Sequence, residues 1–207
     1  YNTVRLENTN SGSIAFNDYS SNYNLHLRNC NFANYSGGLT MYVTWQTPYT
    51  NNTTDYCNLY STGPILARYG NEFATLQALQ TSTNQNLHGV SAEPLFATDD
   101  PDVFQSALDS AGIPIAGITV DIDGASRNAT TPDIGAKEFT LLAHDVGAKL
   151  LVNPETYCGL SNAEEITIRI QNYGSSFETG FDVAYSMNGA GWIVENVGAL
   201  SVPPGGT

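Results

Sequence analysis

The chain has 207 residues, which is enough for one large domain or two smaller ones with a buried core. Only 13% of the residues are charged, and 7 Lys and Arg stand against 20 Asp and Glu, a formal net charge of −13. This acidity argues against nucleic acid and anionic lipid as partners, because both repel a negative surface. No apolar run approaches the roughly 20 residues of a membrane-spanning helix, so membrane insertion is not expected.

The ends of the sequence suggest part of a larger polypeptide. The sequence begins without an initiator methionine or a secretory signal and closes on a Pro-Pro-Gly-Gly turn at 203–206. We expect it to be a piece of a longer secreted or cell-surface protein. Its acidity is concentrated in the middle, because residues 91–145 hold ten carboxylates against Arg127 and Lys137, whereas residues 1–90 are almost neutral.

The first 90 residues contain short runs in which apolar or aromatic residues alternate with polar ones, as in β-strands. Strands this short cannot bury a face alone, so we expect them to pair in parallel as stacked coils, each covering the next. A weak repeat supports stacking, because residues 28–32 align with 55–59 at an offset of 27. The strand-like runs are 13–16, 25–32, 39–45 and 56–60.

The repeat places Cys30 over Cys57, which leaves two interpretations open. A secreted chain could join them in a disulfide, since neighbouring coils bring them within reach. Alternatively, they are two small inward-facing apolar residues without a bond. Cys158 is left without a partner in both interpretations.

The hydrophobic period changes to that of a helix over residues 72–80. Phe73, Leu76 and Leu79 share one face of this predicted helix, and Asn71 is its predicted N-cap. We expect the helix to cover the stacked strands and so to protect an unpaired strand edge.

Four motifs then follow in a fixed order: Pro-Leu-Phe at 94–96, Ser-Ala-Leu-Asp-Ser-Ala-Gly at 106–112, Asp-Ile-Asp-Gly at 121–124, and Pro-Asp-Ile-Gly-Ala-Lys-Glu-Phe at 132–139. The stretch from about 10 to 139 resembles the closing part of right-handed parallel β-helix proteins of the pectate-lyase-like superfold, found in large secreted proteins of Bacteroidetes-type bacteria. The resemblance implies an all-β fold, with the terminal coils and cap of a β-helix over 1–143. Structural cap residues are then Asp109, Arg127 and Asp133.

The second half resembles an Ig-like β-sandwich of the adhesion-type (CARDB-like) modules. In one of its strand-like runs Ile166, Ile168 and Ile170 alternate with Thr167, Arg169 and Gln171, which predicts three inward and three outward side chains. Asn188-Gly189 predicts a hairpin turn. The resemblance implies a module over 144–207 that is incomplete, because the family continues with one or two strands after its Pro-Gly turn. The runs are 145–152, 165–174, 181–187 and 192–197.

The acidic middle permits a calcium site or a set of structural turns. Carboxylates at alternate positions are ligands that Ca²⁺ favours in secreted proteins. The candidate ligands are Asp99, Asp100 and Asp102 in one cluster, and Asp121 and Asp123 in another. We favour the second interpretation, in which Asp121, Asp123 and Asp133 form turns and ion-paired caps with Arg127 as the available arginine. No cofactor other than calcium is expected.

The sequence favours a non-catalytic structural or adhesive segment of a multidomain surface protein. Asp18 and Asp55 are the two aspartates in the predicted coils, and His26, His88 and His144 share no metal-ligand spacing. The alternative is an accessory part of a polysaccharide lyase or glycoside hydrolase whose catalytic coils lie upstream. Expected partners are neighbouring domains of the same polypeptide and also surface glycans or secretion machinery. The clustered aromatic residues Tyr42, Trp45 and Tyr49 are either a sugar-stacking surface or half-buried strand residues.

Overall fold

A computed structural model describes residues 1–19, 24–44, 52–96, 102–155, 159 and 163–207. The described residues form fifteen strands and one short helix, which confirms the all-β class. The chain divides into two compact units, Tyr1–Thr140 and Leu141–Thr207. This division lies close to the boundary predicted after residue 143. Within the described ranges, no helix is long and apolar enough to cross a membrane.

Unit 1 is built from short strands that follow one another every few residues. Its strands are β1 (Thr3–Leu6), β2 (Ile14–Asp18), β3 (His26–Arg28), β4 (Asn31–Asn34), β5 (Leu39–Val43), β6 (Thr53–Asp55), β7 (Asn58–Ser61), β8 (Ala67–Tyr69) and β9 (Asn71–Phe73). Every third strand pairs, so that β1, β4 and β7 form one sheet, β2, β5 and β8 form a second, and β3 and β6 form a third. Each of these pairings is parallel.

The register of two of these pairings reproduces the sequence repeat, whereas β1 with β4, β2 with β5, and β5 with β8 pair at offsets of 28, 25 and 26. Asn31 pairs with Asn58 and His26 pairs with Thr53, both at an offset of 27. The prediction that strands within 13–66 pair in parallel, with Cys30 over Cys57, is therefore confirmed. The register holds because each residue meets the equivalent residue of the next coil, so apolar side chains stack on apolar ones.

The predicted run 25–32 does not form a single strand, and the strand in the run 56–60 starts later than expected. The first run divides into β3 and β4, whereas the second corresponds to β7, which begins at residue 58 after β6 has ended at Asp55. The cause is a left-handed residue at each division: Asn29 has φ 53° and Tyr56 has φ 54°. Because the two residues are 27 apart, successive coils turn the same corner in the same conformation.

The interior of unit 1 combines stacked apolar residues with bonded asparagines. Asn31 and Asn58 are fully buried, and we call them the asparagine ladder. Asn58 Nδ2 donates to Asn31 Oδ1 at 2.9 Å and to the carbonyl of Ala92 at 2.9 Å, while Asn58 Oδ1 accepts from the Ala92 N–H. These bonds offset the cost of burying amides. The buried apolar residues of this core are Leu27, Cys30, Phe32, Met41, Val43, Cys57, Leu59, Leu66, Ala67, Tyr69, Phe73 and Leu79.

The helix starts later than predicted. Helix α1 spans Leu76–Thr83, and its N-cap is Thr75, whose side chain accepts the N–H of Ala78 at 3.2 Å. The prediction of Asn71 as N-cap is wrong, because Asn71 begins β9, which folds back antiparallel on β8. A residue whose backbone belongs to a hairpin cannot also open a helix. Of the predicted apolar face, Leu79 is buried and Leu76 packs against the core, whereas Phe73 is buried as the last residue of β9 and not as part of the helix.

Residues 90–140 close unit 1 with turns and isolated bridges. Val90 forms a parallel bridge with Asn58, and thus continues the stack of β1, β4 and β7 by one position. A second small core collects buried Val103, Leu108 and Ile134. Side-chain hydrogen bonds, and not a sheet, hold this segment together.

Unit 2 consists of three separate antiparallel pairs of strands. The strands are β10 (Val146–Asn153), β11 (Thr167–Asn172), β12 (Glu178–Thr179), β13 (Asp182–Tyr185), β14 (Ile193–Asn196) and β15 (Ser201–Val202). The pairs are β10 with β11, β12 with β15, and β13 with β14. The hairpin predicted at Asn188-Gly189 joins β13 to β14, and both residues have positive φ.

Burial in unit 2 differs from the predicted alternation at two positions, Gln171 and Thr167, and Thr167 is half-buried like the isoleucines beside it. Ile166, Ile168 and Ile170 are half-buried, and Arg169 points outward as predicted. Gln171 is fully buried, because its amide donates to the carbonyl of Gly206 at 2.9 Å. Unit 2 also exposes many large apolar side chains. They are Leu142, Leu150, Leu151, Phe177, Met187, Trp192, Ile193, Val194 and Leu200.

Candidate functional site

The acidic closing segment, residues 102–139, is organised around buried Asp133. Its Oδ1 accepts the backbone N–H of Ser110 at 2.7 Å, and its Oδ2 accepts that of Phe139 at 2.6 Å. Burial raises the pKa of Asp133 to about 6, although the two N–H donors act in the opposite direction. Asp133 thus ties two distant parts of the segment together, as its predicted cap role requires.

Arg127 is buried and has a partner that the sequence analysis did not choose. Nη1 donates to Glu138 Oε2 at 3.1 Å, and Nη2 donates to the carbonyls of Gly135 and Ala136 at 3.0 and 2.7 Å. The guanidinium also lies over the Tyr1 ring, 3.8 Å from its centre. The direct ion pair of Arg127 is with Glu138 and not with the predicted aspartates, although its charge also helps to lower the pKa of Asp121.

Asp121 acts as the predicted turn residue. Its Oδ1 accepts the N–H groups of Asp123 and Ala125, and its Oδ2 accepts that of Glu138, all at 2.9 Å. Slight burial acts to raise the pKa of Asp121, but the three N–H donors outweigh it and hold the pKa below its ordinary value. Asp109, the third predicted cap residue, accepts a hydrogen bond from the hydroxyl of the neighbouring Ser110 at 2.9 Å.

Lys137 joins two of the predicted calcium ligands. Its Nζ lies 2.7 Å from Asp102 Oδ1 and 3.0 Å from Asp123 Oδ2. A lysine ammonium therefore supplies the positive charge that the calcium hypothesis assigns to an ion. The sequence offered one signal for this, since Lys137 is the single lysine among the ten carboxylates of residues 91–145.

The predicted calcium ligands lie partly outside the described residues. Asp99 and Asp100 lie outside the described residues. Among the residues that are described, no group of three or more His, Cys, Asp or Glu side chains is placed to hold a metal ion. A calcium site that includes Asp99 and Asp100 stays a prediction.

The cysteine pair is stacked as predicted but is not a disulfide. Cys30 and Cys57 are buried free thiols, and the backbone N–H of Cys30 lies 3.4 Å from Cys57 Sγ. Each thiol donates at 3.3 Å to the carbonyl two residues before it, that of Arg28 or Asp55. The contact with Cys30 and burial together raise the pKa of Cys57. The two thiols therefore have parallel orientations along the stack, and the second interpretation fits them. Cys158 lies outside the described residues.

The histidines of unit 1 occupy separate polar contacts at the surface. His26 Nδ1 lies 2.8 Å from the hydroxyl of Thr53, its partner in register. His88 Nδ1 lies 2.9 Å from Asp55 Oδ2, and its ring stacks on Tyr56 with 4.7 Å between centres. Burial acts to raise the pKa of Asp55, but hydrogen bonds from His88 and Tyr56 hold it below its ordinary value.

A cleft of about 440 Å³ lies beside β3. Its lining combines His26 and Arg28 with Tyr1, Ile115 and Ile118. None of the described residues that line it is Asp or Glu. Glycoside hydrolysis usually requires a pair of carboxylates across the scissile bond, so these lining residues do not supply that chemistry.

Of the predicted aromatic residues, Tyr42 is half-buried and stacks on Tyr19, a residue that the sequence did not single out. The rings of Tyr19 and Tyr42 are 4.6 Å apart and nearly parallel, and the Arg68 guanidinium lies 4.9 Å from the Tyr42 ring centre. Tyr19 is 69% exposed. The 27-residue repeat does not predict this stack, because Tyr42 pairs with Arg68 at an offset of 26 and Tyr19 precedes Tyr42 by 23 residues. The predicted neighbours Trp45 and Tyr49 lie outside the described residues.

Comparison with known proteins gives no relative from which a role could be inferred: no family model, no curated protein and no solved structure matches the chain.

Proposed function

We propose that the chain is a non-catalytic structural or adhesive segment of a larger secreted or cell-surface bacterial protein. In this proposal, unit 1 comprises the terminal coils and cap of a right-handed parallel β-helix. Unit 2 is an Ig-like module of the adhesion type. The partners are neighbouring domains of the same polypeptide, with surface glycans or secretion machinery as outside contacts.

The observation that carries the proposal is the in-register parallel stacking of β1, β4 and β7, of β2, β5 and β8, and of β3 and β6. Stacking of this kind makes a rigid rod-like element, because each coil is fixed by backbone hydrogen bonds to the next. The buried asparagine ladder adds bonds along the same direction. A stiff spacer needs these features and needs no reactive groups.

The acidic segment supports a structural role as well. Its carboxylates accept backbone N–H bonds at Asp121 and Asp133, or pair with Lys137 at Asp102 and Asp123. Groups used in this way hold the chain in place. The stack of Tyr19 and Tyr42 is better suited to contact a surface glycan, since sugar rings pack on aromatic side chains.

The alternative, an accessory part of a polysaccharide lyase or glycoside hydrolase, draws support from the cleft beside β3. Its Arg28 and His26 could contact an acidic sugar. Asp55 is a poor general acid, because its lowered pKa keeps it ionised at neutral pH. Catalysis in this alternative depends on residues elsewhere in the polypeptide.

The test is a product assay with the whole chain. We expect no release of reducing ends or unsaturated products from neutral or acidic polysaccharides, with or without calcium. Binding to the same polysaccharides is measured in parallel by affinity electrophoresis, with Tyr19→Ala as the variant and Tyr60→Ala as the control. Product release that is lost in Asp55→Asn or Asp18→Asn would overturn the proposal in favour of an enzyme.

A further inference from the structure

Unit 2 contains a groove between β11 and β13, which is mainly apolar along its smaller part and mixed in character along its larger part. Two adjoining cavities of about 180 and 340 Å³ share Ile168, Val183 and Ala184 in their linings. Strand β11 and the residue before it contribute alternate side chains, Ile166, Ile168 and Ile170, whereas β13 contributes consecutive residues. Alternate residues lie on one face of a strand, and consecutive residues are reached together only from its edge. The groove therefore lies over the face of β11 and along the edge of β13.

The edge of β13 that faces this groove has unused backbone groups. In the described residues, β13 pairs with β14 alone. Phe181 accepts the N–H of Val197, so alternation along the antiparallel pair directs the N–H and C=O of Val183 toward β14. The same groups of Asp182 and Ala184 point to the other side. An extended chain laid in the groove would meet them.

The open end of the groove is acidic. Glu165 and Glu195 line the larger cavity together with the apolar side chains of Ile166 and Tyr185. Both carboxylates belong to exposed residues, and the lining residues include no Lys or Arg. A chain that places apolar side chains in the groove thus gains further from a positive charge at this end.

We propose that this groove binds an extended peptide strand with alternating apolar side chains and a Lys or Arg flank, by addition to the edge of β13. The backbone of the peptide pairs with Asp182 and Ala184. Its apolar side chains cover Ile168 and Val183, and its basic flank lies near Glu165 and Glu195. This mode, in which a strand adds to a sheet edge, takes affinity from the backbone bonds and specificity from the side chains.

The charge pattern selects this occupant over a second copy of the same chain. The chain carries a net charge of −13, and its own strands with alternating apolar residues lie beside acidic residues such as Asp182 and Glu195. Two copies would bring like charges together at the groove end. A partner segment with basic flanks avoids that repulsion.

The test is calorimetric titration of the whole chain with synthetic peptides. The probe peptide alternates valine and threonine over eight residues and has two lysines at each end. One control has glutamates in place of the lysines, and a second has prolines at two central positions, which removes backbone donors. We expect the lysine-flanked peptide to bind and to slow hydrogen exchange at the Asp182 and Ala184 amides.

Variants of the protein distinguish binding in the groove from binding to the other exposed apolar residues. Ile168→Lys should abolish binding, and Glu165→Lys combined with Glu195→Lys should weaken it about tenfold, as expected for exposed charge pairs that turn repulsive. Leu200→Lys, an exposed apolar residue outside the groove lining, is the matched control and should leave the affinity unchanged. Circular dichroism spectra of all variants report whether the strands are retained.

Several results would overturn the proposal. They are an absence of binding, equal binding of the proline or glutamate peptide, or unchanged exchange at Asp182 and Ala184 on saturation. A concentration-dependent dimer in sedimentation that protects the same two amides would assign the groove to a second copy instead. Because the readouts are confined to unit 2, a negative result leaves the polysaccharide assay and the proposal about unit 1 intact.

Discussion

Asp133 couples the folding of unit 1 to pH. Burial raises its pKa from 3.8 to about 6 in the folded protein, so the folded state retains a proton that the unfolded state releases. A raised pKa contributes stability fully below about pH 3.8, and this contribution is lost as the pH rises through about 6. Between these values, the free energy of unfolding should therefore fall relative to a variant without this carboxyl group.

Asp133→Asn is that variant. From pH 3.8 to 6.5, we expect the free energy of unfolding of the wild type to fall by roughly 1 to 2 kcal/mol relative to Asp133→Asn, after allowance for screening by solvent. Urea denaturation at four pH values measures this difference. Glu72→Gln, an exposed carboxylate change in the same unit, should leave the pH dependence as in the wild type. A wild type and Asp133→Asn that respond identically to pH would contradict the prediction.

In the acidic segment, the structural roles of single residues were predicted better than the residues with which they form bonds. The turn and cap roles of Asp121 and Asp133 follow from side-chain chemistry, because aspartate accepts nearby backbone N–H bonds in almost any loop. The pairing of Arg127 with Glu138 depends on how residues 127 and 138 approach in space. Nothing in local spacing distinguishes that carboxylate from the aspartates around it.

At the scale of strands, the close approach of neighbouring coils depends on glycine at two positions. A Cβ added to Gly63 would lie 2.0 Å from the carbonyl oxygen of Gly37, and one added to Gly38 would lie 2.1 Å from that of Ser13. Both contacts are with backbone, which cannot move without shifting a coil. Small size, and not backbone conformation, is the requirement at these two sites.

Gly63→Ala should therefore be strongly destabilising. We expect a loss of about 3 kcal/mol in the free energy of unfolding, because the coil must shift to admit the methyl group. Gly12→Ala is the control, since its nearest contact is a side-chain atom of Asn10 at 3.2 Å, which can rotate away. Chemical denaturation of both variants decides the matter, and equal stability of the two would show that the coils are not closely spaced at Gly63.

The start of α1 gives a second test at this scale. Thr75→Ala removes the hydroxyl that accepts the Ala78 N–H, and should lower the free energy of unfolding by about 1 kcal/mol. Asn71→Ala should cost less, within about 0.5 kcal/mol, because Asn71 is an exposed strand residue. A larger effect at Asn71 than at Thr75 in thermal denaturation would instead support the N-cap predicted from the sequence.

Parallel pairing of short strands could be predicted from alternation and from the 27-residue repeat, but β1, β6, β8 and β9 and the corners and caps could not. Asn29 and Tyr56 divide strands through a left-handed backbone conformation, which Tyr rarely adopts and which no pattern of hydrophobicity reports. Asn71 and Thr75 are both acceptable N-caps in isolation. The hairpin of β8 and β9 decides between them, and it is a tertiary feature.

At the scale of the molecule, the two units differ in how well they cover their apolar residues. Unit 1 has a continuous buried core, whereas in unit 2 all four residues of β14 are exposed, including Val194 at 58%. Amide protection follows burial and the depth of hydrogen bonds. Amides of β4, β5 and β7 should thus exchange more slowly than those of β13 and β14.

Hydrogen exchange followed by mass spectrometry measures both units in one sample of the whole chain. We expect peptides from residues 144–207 to exchange at least about tenfold faster than those from 31–69, since a difference of 1.4 kcal/mol in opening free energy gives that factor. Peptides within 102–139 are an internal control, because this segment consists of loops that are held by side-chain hydrogen bonds. Equal protection in the two units would contradict the prediction.

At this scale the sequence predicted the all-β class and two parts of different pattern, because periodicity is a local property. It did not predict which groups lie beside each other at the surface. The stack of Tyr19 on Tyr42 and the groove between β11 and β13 both combine residues that are far apart in the chain. Such sites are set by register and by the packing of separate strands.

The asparagine ladder restricts how the length of this protein can change. Asn58 bonds to its register partner Asn31, so a duplicated segment of 27 residues that repeats this asparagine would preserve the amide contact. One residue inserted between Cys57 and Asn58 would turn the amide outward and leave buried groups of the next coil unpaired. Changes in the length of unit 1 should therefore be tolerated as complete 27-residue repeats or as insertions in the loops between strands, and not as single residues within a strand.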